Sequence, residues 1–205
     1  MASAAAPAGA RPGSPPAQPV PLSGARLGLV AFALALGTFM MVLDTTIANV
    51  SLPTIAGNLG VSADNSTWIV TAFAVANGIS VPLTGWLMRR FGVVRTFCTS
   101  LALFTVASFL CGIAWSLPSL IIFRVLQGAV SGPMMPGSQA LLISVFPPEK
   151  RATALGIWSM TTLVAPIMGP ILGGYISDNY HWSWIFLINV PLSLIHISEP
   201  TRQEA

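Results

Sequence analysis

Two ionisable residues, Asp44 and Arg124, interrupt long apolar runs of this sequence. A charge at the depth of a bilayer core costs at least about 2.5 to 3.5 kcal/mol on insertion scales, so it normally faces a partner or a water-filled cavity. Asp44 lies ~13 Å along a helix from Pro53, where its run ends, and Arg124 lies ~10 Å from the loop that precedes its own run. These similar depths make contact, or a shared cavity, geometrically possible.

The chemistry open to such a pair is the binding and release of a proton. Burial favours the neutral form of a carboxyl group, whereas a nearby guanidinium favours the ionised form, so movement of Asp44 relative to Arg124 would change proton binding. Gln127 lies one helical turn from Arg124 and can hydrogen-bond into the same site. The alternative is a fixed ion pair or interhelical hydrogen bond that only sets packing.

Prolines and glycines distinguish the apolar run that carries Arg124 and the run after it. Pro133 and Pro136 each lack a backbone donor and predict a kinked helix that faces a cavity. In the next run Gly169 and Gly173 are four residues apart, so they form a smooth face that lets another helix approach closely. Such a pair usually indicates packing, although Pro170 inside it is unusual.

A short basic turn separates the second and third apolar runs. It contains Gly85, Arg89, Arg90, Gly92 and Arg95. Cations are favourable near helix C-termini, so this turn is a candidate gate that grips neighbouring helix ends on the cytoplasmic side. Its alternative interpretation is a signal that only sets membrane topology.

The elements that position these residues are predicted to be membrane-spanning helices. Of 205 residues, 54% are apolar and 7% are charged, against roughly 25% charged residues in soluble domains. A spanning helix needs about 20 mostly apolar residues. The predicted spans are residues 27–50, 68–87, 96–115, 120–146, 152–176 and a sixth from residue 182 onward.

The distribution of Lys and Arg predicts the orientation of these spans. Seven basic residues lie before span one or in the loops after spans two and four, and the alternate loops contain none. Cytoplasmic loops are enriched in Lys and Arg. We therefore expect a multi-pass protein of the cell inner membrane with a cytoplasmic N-terminus, preceded by a disordered cytoplasmic tail over residues 1–25.

Several other classes of function are not expected. The basic residues form no patch interleaved with aromatics, which argues against nucleic-acid binding. Cys98 and Cys111 would be ~20 Å apart on one helix and cannot pair with each other. No nucleophile and base, metal motif or paired carboxylates predict an enzyme, and no cofactor is expected.

Four motifs in this order resemble the major facilitator superfamily, specifically its fourteen-span drug:proton antiporters of the EmrB/QacA type. They are LDTTIANVSLP from Leu43, RVLQG from Arg124, GPILGG from Gly169 and WSWIFLINVP from Trp182. The resemblance extends from Arg26 to Pro191 and implies an all-α membrane protein. The chain corresponds to the N-terminal six-helix half of such a fold, because it has room for only one half.

The resemblance also implies a function and its residues. Members export hydrophobic or cationic drug-like molecules with the proton gradient as energy source. The motifs most resemble the EmrB branch, whose members work with a periplasmic adaptor and an outer-membrane channel. The resemblance implies proton coupling by Asp44 and Arg124. The presence of the antiporter motif in span five favours export over uptake. The drug cavity is assigned Thr45, Asn49, Gln127 and Gly128, and the antiporter motif is Gly169, Pro170, Gly173 and Gly174. The family's gating loop usually has Asp where this chain has Arg89, so its acid-mediated latch is expected to be absent or rebuilt here.

The last residues of the chain depart from this pattern. Glu199, Pro200 and Arg202 would lie in the middle of span six, where unpaired charge is costly. Residues 192–205 resemble the translation of a transposase sequencing adapter, so we interpret them as foreign sequence and span six as truncated or replaced. Residues 26–191 then form the transmembrane bundle.

Two alternative functions remain open at this stage. One is a proton-coupled exporter of a single physiological solute, which would keep the same fold and coupling residues. The other is a truncated membrane protein that does not transport.

Overall fold

The computed structural model describes residues 24–197, and all the regular elements in that range are helices. This confirms the predicted all-α fold. The helices are α1 (Ala25–Val50), α2 (Leu52–Leu59), α3 (Ala63–Ser66), α4 (Trp68–Phe91), α5 (Val93–Gly112), α6 (Leu117–Ser131), α7 (Met134–Val145), α8 (Pro148–Asn179), α9 (Trp184–Leu187) and α10 (Asn189–Ile197).

Five helical stretches of the described residues are long and apolar enough to cross a membrane. They are Leu27–Val50, Ala63–Phe91, Val93–Gly112, Leu117–Val145 and Pro148–Asn179. The sixth predicted span is represented by a shorter apolar segment, Trp184–Ser193. The chain is thus a multi-pass membrane protein by the length and composition of its helices.

Predictions for the two ends fall largely outside the described residues. The proposed disordered tail over 1–25 overlaps the structure only at Gly24 and the start of α1, and α10 ends at Ile197 within the proposed foreign segment. Both interpretations stay predictions.

The fourth predicted span consists of two helices. α6 ends at Ser131 and α7 begins at Met134, with Gly132 and Pro133 between them. Pro133 has no backbone N–H to donate to the preceding turn, which accounts for the break. Pro136 lies within the first turn of α7, where a missing donor is tolerated. The kink is therefore a two-residue interruption at the first proline.

Helix α1 lies at the centre of the bundle and packs extensively against α8, while α6 packs against α4 and α5. One apolar cluster surrounds Leu43 and Ile47 near α2, and a second surrounds Phe97 and Leu142 near the opposite end. Asp44 immediately follows a residue of the first cluster. The central position of α1 puts its buried face within reach of α5, α6, α9 and α10.

A polar cluster links three helices beside the second apolar cluster. The Thr38 hydroxyl of α1 donates to Ser138 Oγ of α7 at 2.9 Å. The Trp158 indole N–H of α8 lies 3.1 Å from Ser138 Oγ and 3.3 Å from Thr38 Oγ1. All three side chains are buried. These hydrogen bonds link α1, α7 and α8 and help to fix the rotation of each helix about its axis.

Candidate functional site

Asp44 and Arg124 form a buried ion pair between α1 and α6. The distance from Arg124 Nη1 to Asp44 Oδ2 is 2.6 Å, and both side chains are 0% exposed. It is the single salt bridge among the described residues. The structure thus brings into contact the two residues whose similar depth indicated a shared site.

The Arg124 guanidinium also contacts α4 and α9, while its Nη2 is buried and makes no hydrogen bond within the described residues. Its Nε donates to the carbonyl oxygen of Ile69 at 3.3 Å. The guanidinium carbon lies 4.3 Å from the ring centre of Phe73 and 5.5 Å from that of Phe186. Aromatic faces attract a cation, and Arg suits such stacked and hydrogen-bonded positions better than Lys. Arg124 is consequently fixed from several sides.

Gln127 bridges the two charged residues. Its Oε1 accepts a hydrogen bond from Arg124 Nη1 at 2.7 Å, and its Nε2 donates to Asp44 Oδ1 at 3.1 Å. The same Nε2 lies 3.2 Å from Ser108 Oγ, and the Cys111 thiol donates to Oε1 at 3.5 Å. Arg124 and Gln127 can both reach Asp44 because they lie three residues, or about one helical turn, apart on the same face of α6.

Sequence reasoning missed two members of this group, Asn189 and Ser108. Asn189 Nδ2, at the start of α10, donates to Asp44 Oδ1 at 2.7 Å and to Ser108 Oγ at 2.9 Å. The Ser108 hydroxyl of α5 donates to the carbonyl oxygen of Phe186 at 3.0 Å. The available signal was a carboxamide within an apolar run, because such a side chain in lipid seeks a polar partner on another helix. We call Asp44, Ser108, Arg124, Gln127 and Asn189 the Asp44 site.

The position of Asp44 on α1 explains why it enters this site. Leu43, Asp44, Ile47 and Ala48 are buried, as the 3.6-residue period of one helical face requires. Thr45 is partly buried and its hydroxyl lies 2.7 Å from the Val42 carbonyl oxygen. Among the described residues, the hydrogen bonds of Asp44 join it to α6 and α10, and α5 contacts the site through Gln127 and Asn189.

Two of the residues assigned to the drug cavity lie on a different face of α1. Asn49 is exposed and its Nδ2 donates to the Thr45 carbonyl oxygen at 2.8 Å. Thr45 likewise bonds to the backbone of its own helix. The structure does not bring these two side chains into the Asp44 site, and their assignment to a drug cavity stays a prediction.

Gly128 is a close-packing position between α6 and α4. It is buried, and a Cβ added there would overlap the carbonyl oxygen of Phe73. Phe73 is also the residue whose ring covers the Arg124 guanidinium. The absence of a side chain at Gly128 therefore lets α4 approach closely enough to cover Arg124.

The glycines of the antiporter motif pack α8 against α1 beside the Asp44 site. A Cβ added at Gly169 would overlap the Thr46 side chain, and one added at Gly173 would lie 3.4 Å from Ile47 Cα. Pro170 is exposed, and a Cβ at Gly174 would meet nothing within 4 Å. Only half of this motif faces α1.

The basic turn lies apart from the Asp44 site, where α4 ends and α5 begins. Arg89 and Arg90 are exposed in the last turn of α4, where a cation is favourable. Gly92 has φ 87°, a conformation that L residues rarely adopt. Gly85 is exposed, as is Arg95, which lines a cleft of about 400 Å³ between α4, α5 and the end of α6.

What the Asp44 site can do chemically follows from its donor set. Asp44 receives hydrogen bonds from a guanidinium and two carboxamides, so all its partners in the site are donors. Within residues 24–197 no group of three or more His, Cys, Asp or Glu is arranged to hold a metal ion. Proton binding and release at Asp44 stays a prediction.

The family model of the Major Facilitator Superfamily matches residues 34–198. Multidrug export protein EmrB of Haemophilus influenzae is 63% identical over 174 residues, which cover 85% of this chain and 34% of the relative. EmrB of Escherichia coli K12 is 60% identical over 86% of this chain and 35% of its own length. The fatty acid resistance protein FarB of Neisseria gonorrhoeae is 56% identical over 85% and 34%.

Solved structures show the same fold at low sequence identity. A bacterial homologue of the human lysosomal transporter Spinster, in an inward-facing conformation, aligns with TM-score 0.72 and 21% identity over 86% of this chain and 43% of that one. The proton:xylose symporter XylE aligns with TM-score 0.73 and 14% identity over 84% and 43%. The chain spans about a third of the length of its curated relatives. It belongs to the Major Facilitator Superfamily.

Proposed function

We propose that this chain is the N-terminal part of a proton-coupled multidrug efflux transporter. The observation that carries the proposal is the Asp44–Arg124 pair, 0% exposed on both sides and bonded at 2.6 Å between two apolar helices. The multidrug substrate class is supported by relatives named multidrug export protein at 60 to 63% identity.

The alternative, a pair that only sets packing, accounts less well for the site. A buried ion pair is weak support for stability, since apolar residues of similar volume are often as stable or more so. The site nevertheless holds five polar side chains at apolar depth, from α1, α5, α6 and α10. A proton-binding role gives a physical reason for such a costly set of groups.

In the proposed mechanism, Asp44 is the proton-binding group, and Arg124 competes with the proton for the Asp44 carboxylate. When the carboxylate is ionised, Arg124 Nη1 and Gln127 Nε2 hold it. A proton arriving from outside neutralises Asp44 and weakens its attraction to Arg124. The relative movement of α1 and α6 would then accompany release of the drug to the outside, and loss of the proton inward would reset the site.

The setting proposed for this activity is the cell inner membrane, with the N-terminus in the cytoplasm. Substrates would be hydrophobic or cationic drug-like molecules. A periplasmic adaptor and an outer-membrane channel are proposed partners. The proton gradient would supply the energy, so we propose a secondary active transporter without an enzymatic cofactor.

A second candidate function is export of one physiological class of solute. It is favoured by the 56% identity to a relative named fatty acid resistance protein. Fatty acids are anionic lipophiles, whereas many drug-like substrates are cations. Comparing resistance to long-chain fatty acids and to several unrelated lipophilic cations in one expressing strain separates these functions, because protection against fatty acids alone would favour the second.

The coupling proposal is tested by Asp44→Asn in the complete protein encoded by the gene that carries this segment. Asp64→Asn is the matched control, because Asp64 is an exposed acid on the short helix α3. Reconstituted vesicles with an imposed pH gradient should lose drug-driven proton flux with the first variant and keep it with the second. Full proton exchange and drug resistance with Asp44→Asn would refute the role assigned to Asp44.

A further inference from the structure

The two ends of the Asn189 carboxamide have unequal surroundings. Its Nδ2 donates two hydrogen bonds, to Asp44 Oδ1 at 2.7 Å and to Ser108 Oγ at 2.9 Å. Its Oδ1 is buried and accepts no hydrogen bond from the described residues. A buried carbonyl without a donor is unusual in a folded protein and calls for a physical reason.

Protonation of Asp44 would change what its neighbours must provide. A protonated carboxyl carries an O–H that needs an acceptor, whereas all three of its present partners donate. Arg124 has no acceptor atom at all. Gln127 has one, but its Oε1 already accepts from Arg124 Nη1 at 2.7 Å and from the Cys111 thiol at 3.5 Å.

Asn189 is the partner that can supply an acceptor without giving up an existing bond to its oxygen. Rotation of the carboxamide by half a turn exchanges its nitrogen and oxygen, which are nearly equal in size. Oδ1 would then occupy the position 2.7 Å from Asp44 Oδ1 and 2.9 Å from Ser108 Oγ. The Ser108 hydroxyl, which now donates to the Phe186 carbonyl oxygen at 3.0 Å, can turn its one hydrogen toward Oδ1 and donate there instead.

We propose that Asn189 is a positioning residue that follows the protonation state of Asp44 by amide rotation, donating to the carboxylate and accepting from the protonated acid. This inference rests on the proposed proton-coupled function. In the step itself a hydronium ion transfers a proton to Asp44 Oδ1: one O–H bond of the hydronium breaks, one O–H bond forms on the carboxyl group, and a neutral water molecule is left. The transfer cancels the carboxylate charge, and no further covalent bond forms or breaks.

Few other groups near Asp44 can change their charge or hydrogen bonding when it is protonated. The ionisable groups of the described residues that face it are Arg124 from α6 and the Cys111 thiol from α5. The Ile69 carbonyl and the Phe73 ring of α4 and the Phe186 ring of α9 also contact the guanidinium. Asn189 also joins the site to α10, so its rotation would change a hydrogen bond of the sixth span when Asp44 is protonated.

The test is infrared difference spectroscopy of the complete protein, reconstituted and carrying asparagine labelled with ¹³C in the side-chain carbonyl. Spectra are recorded as the pH is lowered through the protonation of Asp44, identified as the carboxylic band that Asp44→Asn abolishes. The Asn189 band is assigned by its loss in Asn189→Leu. Asn77→Leu is the matched control, because Asn77 Nδ2 donates to Ser131 Oγ at 2.7 Å away from Asp44.

The expected result is a shift of the Asn189 carbonyl band to lower frequency together with the appearance of the Asp44 band, and no shift in Asp44→Asn. If Asn189→Leu fails to fold, Ser108→Ala assigns the band instead, because it removes one partner of the amide. An unmoved Asn189 band beside a normal Asp44 band would overturn this inference and leave the proposed function intact. Absence of any Asp44 band at every pH that the protein survives would overturn both.

Discussion

Gly169 of α8 lies so close to Thr46 of α1 that a Cβ built on the glycine would overlap the threonine side chain. Thr46 follows Asp44 by two residues on α1. The contact therefore fixes the distance between α8 and the helix that carries the buried carboxylate.

We predict that Gly169→Ala destabilises the bundle by roughly 1 to 3 kcal/mol, because extra atoms in a packed contact force a shift of α1 or α8. Gly174→Ala is the control: a Cβ there meets nothing within 4 Å, so the change should be neutral or slightly stabilising in a helix. Unfolding of the purified complete protein in one detergent compares the variants. Equal stability of the two variants would show that α1 and α8 accommodate the added methyl group without loss of stability.

A second prediction concerns the energetic coupling of Asp44 and Arg124. Breaking a buried pair from one side leaves an uncompensated charge, so we expect Asp44→Asn and Arg124→Gln each to lower the free energy of unfolding by about 3 to 5 kcal/mol. The double variant leaves no charge unpaired. Its loss should be smaller than the sum of the single losses by about 0.5 to 3 kcal/mol, the range found for residues in contact.

The control for this cycle uses two exposed residues that form no ion pair within residues 24–197, Asp64 and Arg95. Their changes Asp64→Asn and Arg95→Gln should add without coupling, since each charge is solvated in both states. Additivity of the Asp44 and Arg124 variants would mean that the buried contact contributes nothing to stability.

A third prediction concerns the basic turn. Gly92 has φ 87° and ψ 151°, a region that is essentially restricted to glycine and costs other residues about 1 to 3 kcal/mol. Gly92→Ala should therefore lower the unfolding free energy and the amount of protein in the membrane. Gly85→Ala should be tolerated, because the nearest atom to its added Cβ is Arg89 Nη1, 3.5 Å away on a flexible side chain. A fully stable Gly92→Ala would indicate that the turn adopts another conformation.

The sequence was most informative where a residue type is costly in lipid. The depth of Asp44 and Arg124 indicated a shared site, and the i, i+3 spacing added Gln127; the structure joins all three. Asn189 and Ser108 were missed because neutral polar side chains are common in transmembrane helices, and their partners depend on interhelical register. That register comes from the packing of whole helices and is not encoded in any local pattern.

Glycines were harder to interpret than charges from sequence. Gly128 was assigned to a drug cavity from its motif, while the structure places it against the backbone of Phe73. Gly169 and Gly173 were expected to permit a close helix approach, and they do so against α1, whereas Gly174 does not take part. Spacing predicts which glycines share a face, but the neighbouring helix becomes known only from the tertiary structure.

The last prediction concerns the orientation of the chain in the membrane. Asp64 of α3 and Arg95 of α5 are both exposed and lie beyond opposite ends of α4, whose 24 residues span ~36 Å. The enrichment of Lys and Arg in cytoplasmic loops predicts that Arg95 faces the cytoplasm and Asp64 the outside. With Cys98 and Cys111 replaced by alanine, a membrane-impermeant maleimide should label Asp64→Cys in spheroplasts and Arg95→Cys only in inverted vesicles. The reverse pattern would overturn the proposed orientation, and with it the direction of proton entry assigned to Asp44.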